Sequence, residues 1–199
     1  MTESDAAILK RAAAVRALEF VQDGMKLGLG TGTTAEAFLD VLAPRVKGGL
    51  KITCAATSER SAARAKELGI AVAPLEQLAP LDLTVDGADE ADRNLCLIKG
   101  GGGALLREKI VASASRSMIV IADGSKLVER LGRFPLPIEV TLFGHTLTAK
   151  RITECAANLG YPHLPITLRQ HGGAPFMTDG GNVIYDCAFG QIQDATKLA

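Results

Sequence analysis

The chain has 199 residues, with 22 basic and 22 acidic side chains that balance to a formal net charge of zero, and 47% of it is hydrophobic. At ~150 residues per domain this allows one domain, or one domain with a small second one, long enough to bury a core without staples. Balanced charge gives no reason to expect a nucleic-acid or anionic-membrane partner, and a composition rich in aliphatic residues and glycine suits a globular α/β protein rather than a disordered chain.

Ile8, Ala12, Val15 and Leu18 recur at helical spacing, with Ser4 as the expected cap. A short strand follows over 25–29, then a helix after Thr33 and Thr34 with Phe38, Leu39 and Leu42 facing inward. Residues 51–56 read as the next strand. Ser58 caps a helix running to Leu68, and Gly69 suits the position after its end. Residues 70–72 and 81–85 read as strands, 105–114 as a helix, and 117–122 as the most hydrophobic strand. Strands alternating with helices imply right-handed βαβ units and a parallel sheet covered on both faces. We therefore expect a Rossmann-like α/β domain over residues 1–131. The pattern changes at Phe134-Pro-Leu-Pro137, where two prolines make a stiff connector. A strand (138–142), a helix (146–159) and strands near 166–168 and 183–186 then predict a smaller α+β domain over 132–199.

Cys54, Cys96, Cys155 and Cys187 show no Cys-x-x-Cys spacing, and His145, His163 and His171 form no His-Glu-x-x-His pattern, so no zinc site is expected. Four scattered thiols suit a reducing cytoplasm. Met1 to Lys10 carries acids and no long apolar stretch, which reads against a signal peptide. No run approaches the ~20 apolar residues of a membrane span.

In an open parallel sheet, ligands bind beyond the carboxyl ends of the strands. Three segments follow strand ends and carry unusual residues. In Gly28-Leu-Gly30-Thr31-Gly32-Thr33-Thr34 the glycines allow close backbone approach, and the helix start offers N–H groups and a positive dipole end to a phosphate. Thr33 breaks the Gly-x-Gly-x-x-Gly dinucleotide pattern, and no Gly-Lys-Ser/Thr follows. The alternative is a turn with a threonine cap and no ligand. In Asp86-Gly87-Ala88-Asp89-Glu90 three carboxylates fall within five residues. Acid–base work, a magnesium site and a solvated acidic turn are all compatible with that spacing. In Lys99-Gly100-Gly101-Gly102-Gly103, followed by a helix carrying Glu108, the amides would form a nest for an oxyanion beside a lysine charge. The alternative is a flexible linker. Together the inventory suits proton abstraction next to a carbonyl of a phosphorylated substrate.

These three motifs, in this order, with Arg107-Glu108-Lys109, Asp123-Gly-Ser-Lys126 and Gly132-Arg-Phe-Pro-Leu-Pro-Ile-Glu-Val140, resemble the type A ribose-5-phosphate isomerases over nearly the whole chain. The resemblance implies interconversion of D-ribose 5-phosphate and D-ribulose 5-phosphate in the pentose phosphate pathway, with no metal and no organic cofactor. It makes Glu108 the base that moves a proton between C2 and C1 through an enediolate. Asp86 and Asp89 would handle hydroxyl protons and ring opening, and Lys99 with the amides of Gly100, Gly101 and Gly102 would hold the oxyanion. Thr31, Gly32, Thr33 and Thr34 would bind substrate at the phosphate, and Gly87 and Ala88 would be substrate-binding too. Lys126 matches a substrate-contacting position and Lys10 a phosphate-contacting lysine. The helix start would keep Glu108 ionised, while Asp86 and Asp89 would raise its proton affinity toward the working pH. A cytoplasmic homodimer or homotetramer, joined through the small domain, is implied too.

Family members run on past the point equivalent to Leu198-Ala199 with strand-forming sequence that returns to the first domain. A short C-terminal end and an uncovered sheet edge are therefore expected. Two rivals share the general architecture. A sugar-phosphate sensor would need a DNA-reading domain that the residues before the first strand cannot hold. A CoA-transferase-like enzyme would use Glu108 as nucleophile.

Overall fold

The computed structural model describes residues 3–199. The chain divides into two compact units, Met1–Ala88 with Leu106–Ser125, and Asp89–Leu105 with Lys126–Ala199. The division is interleaved: the second unit takes one excursion out of the middle of the first.

The first unit contains α1 (Glu3–Leu18), β1 (Lys26–Leu29), α2 (Thr33–Lys47), β2 (Thr53–Ala56), α3 (Glu59–Glu67), α4 (Leu75–Leu78) and β3 (Leu83–Gly87). Its strands pair in parallel. The excursion carries β4 (Glu90–Ala91) and β5 (Leu97–Ile98), after which α5 (Leu105–Ser113) and β6 (Met118–Ile121) complete the first unit's sheet in the order β2-β1-β3-β6. Leu27, Leu29, Leu83 and Val85 are buried on one face of β1 and β3, and Gly28 and Thr84 on the other, so both faces of these strands are covered. The Rossmann-like α/β expectation holds. Residues 70–72 form no full strand, only a parallel bridge between Cys54 and Val72. Ser58 caps α3 as expected, its side chain accepting from the Ser61 amide.

α1 differs from its sequence reading. It begins at Glu3, so Ser4 is already helical. Its buried residues are Ala14 and Ala17, while Ile8 and Val15 stay 63% and 46% exposed. Alanines let α1 approach the Phe38–Leu39–Leu42 stripe of α2 closely, and larger side chains would hold it off. Phe38, Leu39 and Leu42 themselves face inward as predicted. α5 is brought close to the sheet by an absent side chain: a Cβ on Gly28 would stand 2.0 Å from Thr84 Oγ1 and 2.7 Å from Val111 Cγ1.

In the second unit β4 and β5 form an antiparallel hairpin. β7 (Leu136–Val140), β8 (Ile166–Leu168) and β11 (Val183–Cys187) pair antiparallel in the order β7-β11-β8, against α6 (His145–Asn158). β9 (Gln170–His171) and β10 (Ala174–Pro175) make a tight hairpin through two positive-φ glycines, and α7 (Ala195–Leu198) ends the chain. β7 starts two residues before the predicted strand and includes Pro137. An edge strand tolerates a proline that an inner strand would reject. Among the described residues no helix is long and apolar enough to cross a membrane.

Candidate active site

β1 and β3 are neighbours, but the chain continues from β1 outward to β2 and from β3 outward to β6. Such a reversal is where open parallel sheets bind ligands, here at the carboxyl ends of β1 and β3. Asp86 lies there, fully buried, its Oδ1 accepting the amides of Thr31 (3.1 Å) and Gly87 (2.7 Å). Gly30 is glycine for lack of room. A Cβ there would stand 2.0 Å from Asp86 Oδ1 and 2.6 Å from Asp86 Cα. Gly87 borders Thr34 at the start of α2, 3.7 Å from where a Cβ would sit.

The three threonines of the first loop serve different ends. The Thr31 hydroxyl meets Thr57 Oγ1 at 2.7 Å and Ser58 Oγ at 2.9 Å, and Ser61 Oγ donates to the Gly30 carbonyl at 2.8 Å. Thr57, Ser58 and Ser61 are all buried. This hydroxyl cluster holds the loop from beneath. Sequence reading found Ser58 only as a cap and missed Thr57 and Ser61, although a hydroxyl-rich Thr57-Ser58-x-x-Ser61 run at a strand end is a visible signal. The threonine cap of the ligand-free alternative is absent from α2. The cap position is Gly32, at φ 103°, with no side-chain cap hydrogen bond, which leaves the helix start to an external anion. Lys10 reaches this end of α2, its Nζ donating to Thr33 Oγ1 at 2.9 Å.

α5 runs back from the carboxyl end of the sheet to the start of β6. Val111 packs at Gly28, and Glu108, three residues earlier, lies on the same face one turn nearer the carboxyl ends. Glu108 is 4% exposed. Among the described residues its buried Oε2 accepts no hydrogen bond, although the residue interacts elsewhere. Arg107 pairs with Glu59 of α3 at 2.8 Å on the outer side.

The second unit holds the remaining acids and the glycine run. Glu90, 1% exposed, accepts the Gly132 amide at Oε2 (2.8 Å) and the Phe134 amide at Oε1 (2.7 Å). It is a structural carboxylate tied to the Gly132–Pro137 segment. With Asp86 and Glu90 buried on backbone amides, the run 86–90 is not a solvated turn. Asp89 is half-buried, and its Oδ2 accepts the Gly101 amide at 2.7 Å. One amide of the expected oxyanion row is therefore directed at a carboxylate. Lys99 is half-buried at the head of that row. The glycines do not form a flexible linker: the Gly100 and Gly101 carbonyls accept Arg169 Nη1 at 3.0 and 3.1 Å. Arg169 escaped the sequence reading because it lies 68 and 69 residues away in the chain, and no local pattern connects them. Lys126 ends a short 3₁₀ turn (Gly124–Lys126) set by buried Asp123, whose Oδ1 accepts the Ser125 amide at 2.9 Å. Among the described residues no group of three or more His, Cys, Asp or Glu side chains could hold a metal ion.

The family model for Ribose 5-phosphate isomerase A (phosphoriboisomerase A) matches residues 53–199. The chain belongs to this family. Ribose-5-phosphate isomerase A of Parvibaculum lavamentivorans is 58% identical over 190 residues, which cover 96% of this chain and 82% of that protein. Among solved structures, a ribose 5-phosphate isomerase from Plasmodium falciparum is 40% identical with a TM-score of 0.89, covering 94% of this chain and 81% of that one. A D-ribose-5-phosphate isomerase in complex with phospho-erythronic acid is 37% identical with a TM-score of 0.88, covering 97% and 83%. Of the residues expected to serve a type A ribose-5-phosphate isomerase, Thr31, Asp86 and Gly87 meet in the first unit, as do Lys10 and Thr33. In the second unit Asp89 meets Gly101. Ala88 is half-buried at the junction between Asp86 and Asp89.

Proposed function

We infer that this chain interconverts D-ribose 5-phosphate and D-ribulose 5-phosphate by proton transfer through an enediolate. The observation that carries the reading is the buried Glu108 carboxylate on the α5 face turned toward the carboxyl ends of β1 and β3, in a chain whose relatives are isomerases by name. A carboxylate shielded from bulk water and held by a helix has the reach and rigidity a general base requires. Glu108 takes the C2 proton of the open-chain aldose. The electron pair forms the C1–C2 double bond and places charge on O1, and return of the proton to C1 gives the ketose. Lys99 with the amides following it stabilises the charge on O1. Asp86 and Asp89 carry a proton from the C2 hydroxyl to O1, and open the furanose ring beforehand. Thr31 to Thr34, the uncapped start of α2 and Lys10 take the phosphate, and Lys126 contacts the substrate. Gly87 and Ala88, and the Gly100–Gly102 backbone, bind substrate as well. Phospho-erythronic acid, bound by the 37% identical relative, unites a phosphate with a carboxylate whose two oxygens resemble those of an enediolate. These roles need neither metal nor organic cofactor.

The small-domain residues 132–199 supply the contact of a homodimer or homotetramer. Phe143, Leu142 and Leu147 support this, being 95%, 49% and 56% exposed. A cytoplasmic location fits the free state of Cys54, Cys96, Cys155 and Cys187. The relatives named ribose-5-phosphate isomerase A favour this reading over a sensor or a CoA transferase.

The test is turnover of D-ribose 5-phosphate by the purified chain with EDTA present, beside Glu108→Gln. The wild type should turn over, and the variant should lose at least ~10²-fold in kcat with a much smaller change in substrate binding. Near-normal turnover in Glu108→Gln removes Glu108 from the mechanism. A folded wild type that binds the sugar phosphate without turnover favours the sensor.

A further inference from the structure

The loop from Lys99 to Gly102 has no side chain beyond Lys99 to fix its peptide planes, yet its proposed role depends on where those planes point. Arg169 supplies the constraint. Its Nε donates to Asp186 Oδ2 at 2.9 Å and its Nη2 to Asp186 Oδ1, a two-point pairing with side chains 15% and 26% exposed. With the guanidinium plane held, Nη1 is left to bridge the carbonyls of Gly100 and Gly101. The Arg169 backbone is fixed too: its amide donates to the Ile184 carbonyl at 2.8 Å, and its carbonyl accepts the Phe176 amide at 2.9 Å. The Phe176 ring in turn closes on Gly103, where a Cβ would stand 2.5 Å from Cε1. One stretch of chain thus grips the glycine run at both ends.

In a trans peptide the N–H points opposite to the C=O. Holding the Gly100 carbonyl therefore aims the Gly101 N–H away from the guanidinium, and there it meets Asp89 Oδ2. Holding the Gly101 carbonyl aims the Gly102 N–H away from the guanidinium as well. We propose that Arg169, anchored by Asp186, is a positioning residue for the isomerisation: it sets the peptide orientation of the Gly100–Gly102 run, fixing Asp89 and presenting the Gly102 amide to the developing oxyanion. This rests on the isomerase reading above. Arg169 touches no reacting atom; its effect is to keep donors in place so that they need not reorganise as charge develops.

The test is steady-state kinetics on Arg169→Ala, Arg169→Lys and Asp186→Asn beside wild type, with melting temperatures measured in parallel. Arg169→Ala should lower kcat by about 10²-fold, on the scale of losing one oxyanion donor, with KM changed less than about threefold. Added guanidinium ion at non-denaturing concentration should restore part of kcat to Arg169→Ala and none to wild type. Arg169→Lys, a point charge without the fork, should remain impaired. Combining Arg169→Ala with Asp89→Asn should cost less than the product of the two single losses, because both act on the same peptide. A kcat within about twofold of wild type in Arg169→Ala overturns the proposal, and so does a low kcat that guanidinium does not restore. If Arg169→Ala does not fold, Asp186→Asn decides, since it keeps the guanidinium and releases only its anchor. Inactivity of the wild type itself would instead sink the isomerase reading.

Discussion

Asp86 Oδ1 accepts the Thr31 amide at 3.1 Å, which ties the end of β3 to the loop that follows β1. The tie is possible because Gly30 passes directly over Asp86. A methyl group at residue 30 would fall 2.3 Å from Asp86 Cγ and 2.6 Å from its Cα, and a backbone atom cannot yield as a side-chain tip can. Gly30→Ala should therefore part the two strand ends by an appreciable fraction of an ångström. Misplacement on that scale costs roughly 10²-fold in kcat/KM. Turnover of D-ribose 5-phosphate by the variant measures it, and activity within about twofold of wild type would show that the loop and Asp86 need not be in register.

Lys10 bonds to Thr33 at the first residue of α2, whose cap position carries no side-chain acceptor. A lysine charge beside uncapped helix amides is suited to a phosphate dianion and has little to offer the reacting carbons. Lys10→Ala should raise KM for D-ribose 5-phosphate by about 10- to 100-fold, the scale of one charged hydrogen bond, with little change in kcat. The penalty should shrink in high salt as the wild-type attraction is screened. An unchanged KM would take Lys10 out of the phosphate site.

Much of this was legible in the sequence, for reasons that differ by element. β1, β3 and β6 announce themselves because the strands of a parallel sheet packed under helices are rich in apolar residues, Leu27, Leu29, Leu83, Val85 and the Met118–Ile121 run among them. The loops after β1 and β3 were visible because glycine and carboxylate at a strand end are costly without a purpose. α1 was misread because helical periodicity weighs large apolar residues, whereas close helix packing selected Ala14 and Ala17 and left Ile8 and Val15 outside. Glu90 was indistinguishable from Asp86 and Asp89 by type and spacing. Only its amide partners, 42 and 44 residues on, mark it as structural. Arg169 carries no sequence signature at all, because its partners become neighbours only through the fold.

Glu90 offers a clean stability test. Its Oε2 accepts the buried Gly132 amide, and its Oε1 accepts the half-buried Phe134 amide with Arg133 Nε 3.8 Å away. Glutamine keeps one acceptor and turns an NH₂ donor toward the other amide, leaving a buried donor unsatisfied. Glu90→Gln should cost about 2–3 kcal/mol. At the slope usual for a chain of this size, thermal unfolding should shift down by about 5–10 °C. Glu129→Gln, at an exposed position, is the control and should leave the melting temperature nearly unchanged. Equal melting temperatures for the two variants would mean that the Gly132–Phe134 segment does not need its carboxylate.

Alkaline stability should report on the core of the first unit through Cys54. Burial against the sheet pushes its thiol up from 9.0 to about 12. In the unfolded chain the thiol loses its proton above about 9, while in the folded chain it keeps it. Between those values the unfolded state binds fewer protons than the folded one, so stability falls as pH rises, by up to ~1.4 kcal/mol for each pH unit. Below the unfolded value the contribution is fully present. Urea unfolding of wild type and Cys54→Ala at pH 7, 9 and 10.5 isolates this group from the other titrating residues, because only the difference in slope is read. The variant should start less stable, having lost a buried sulfur, yet decline less steeply above pH 9. Parallel declines would mean that the Cys54 thiol is hydrated in the folded chain, and that β2 is less tightly covered than its fully buried side chain implies.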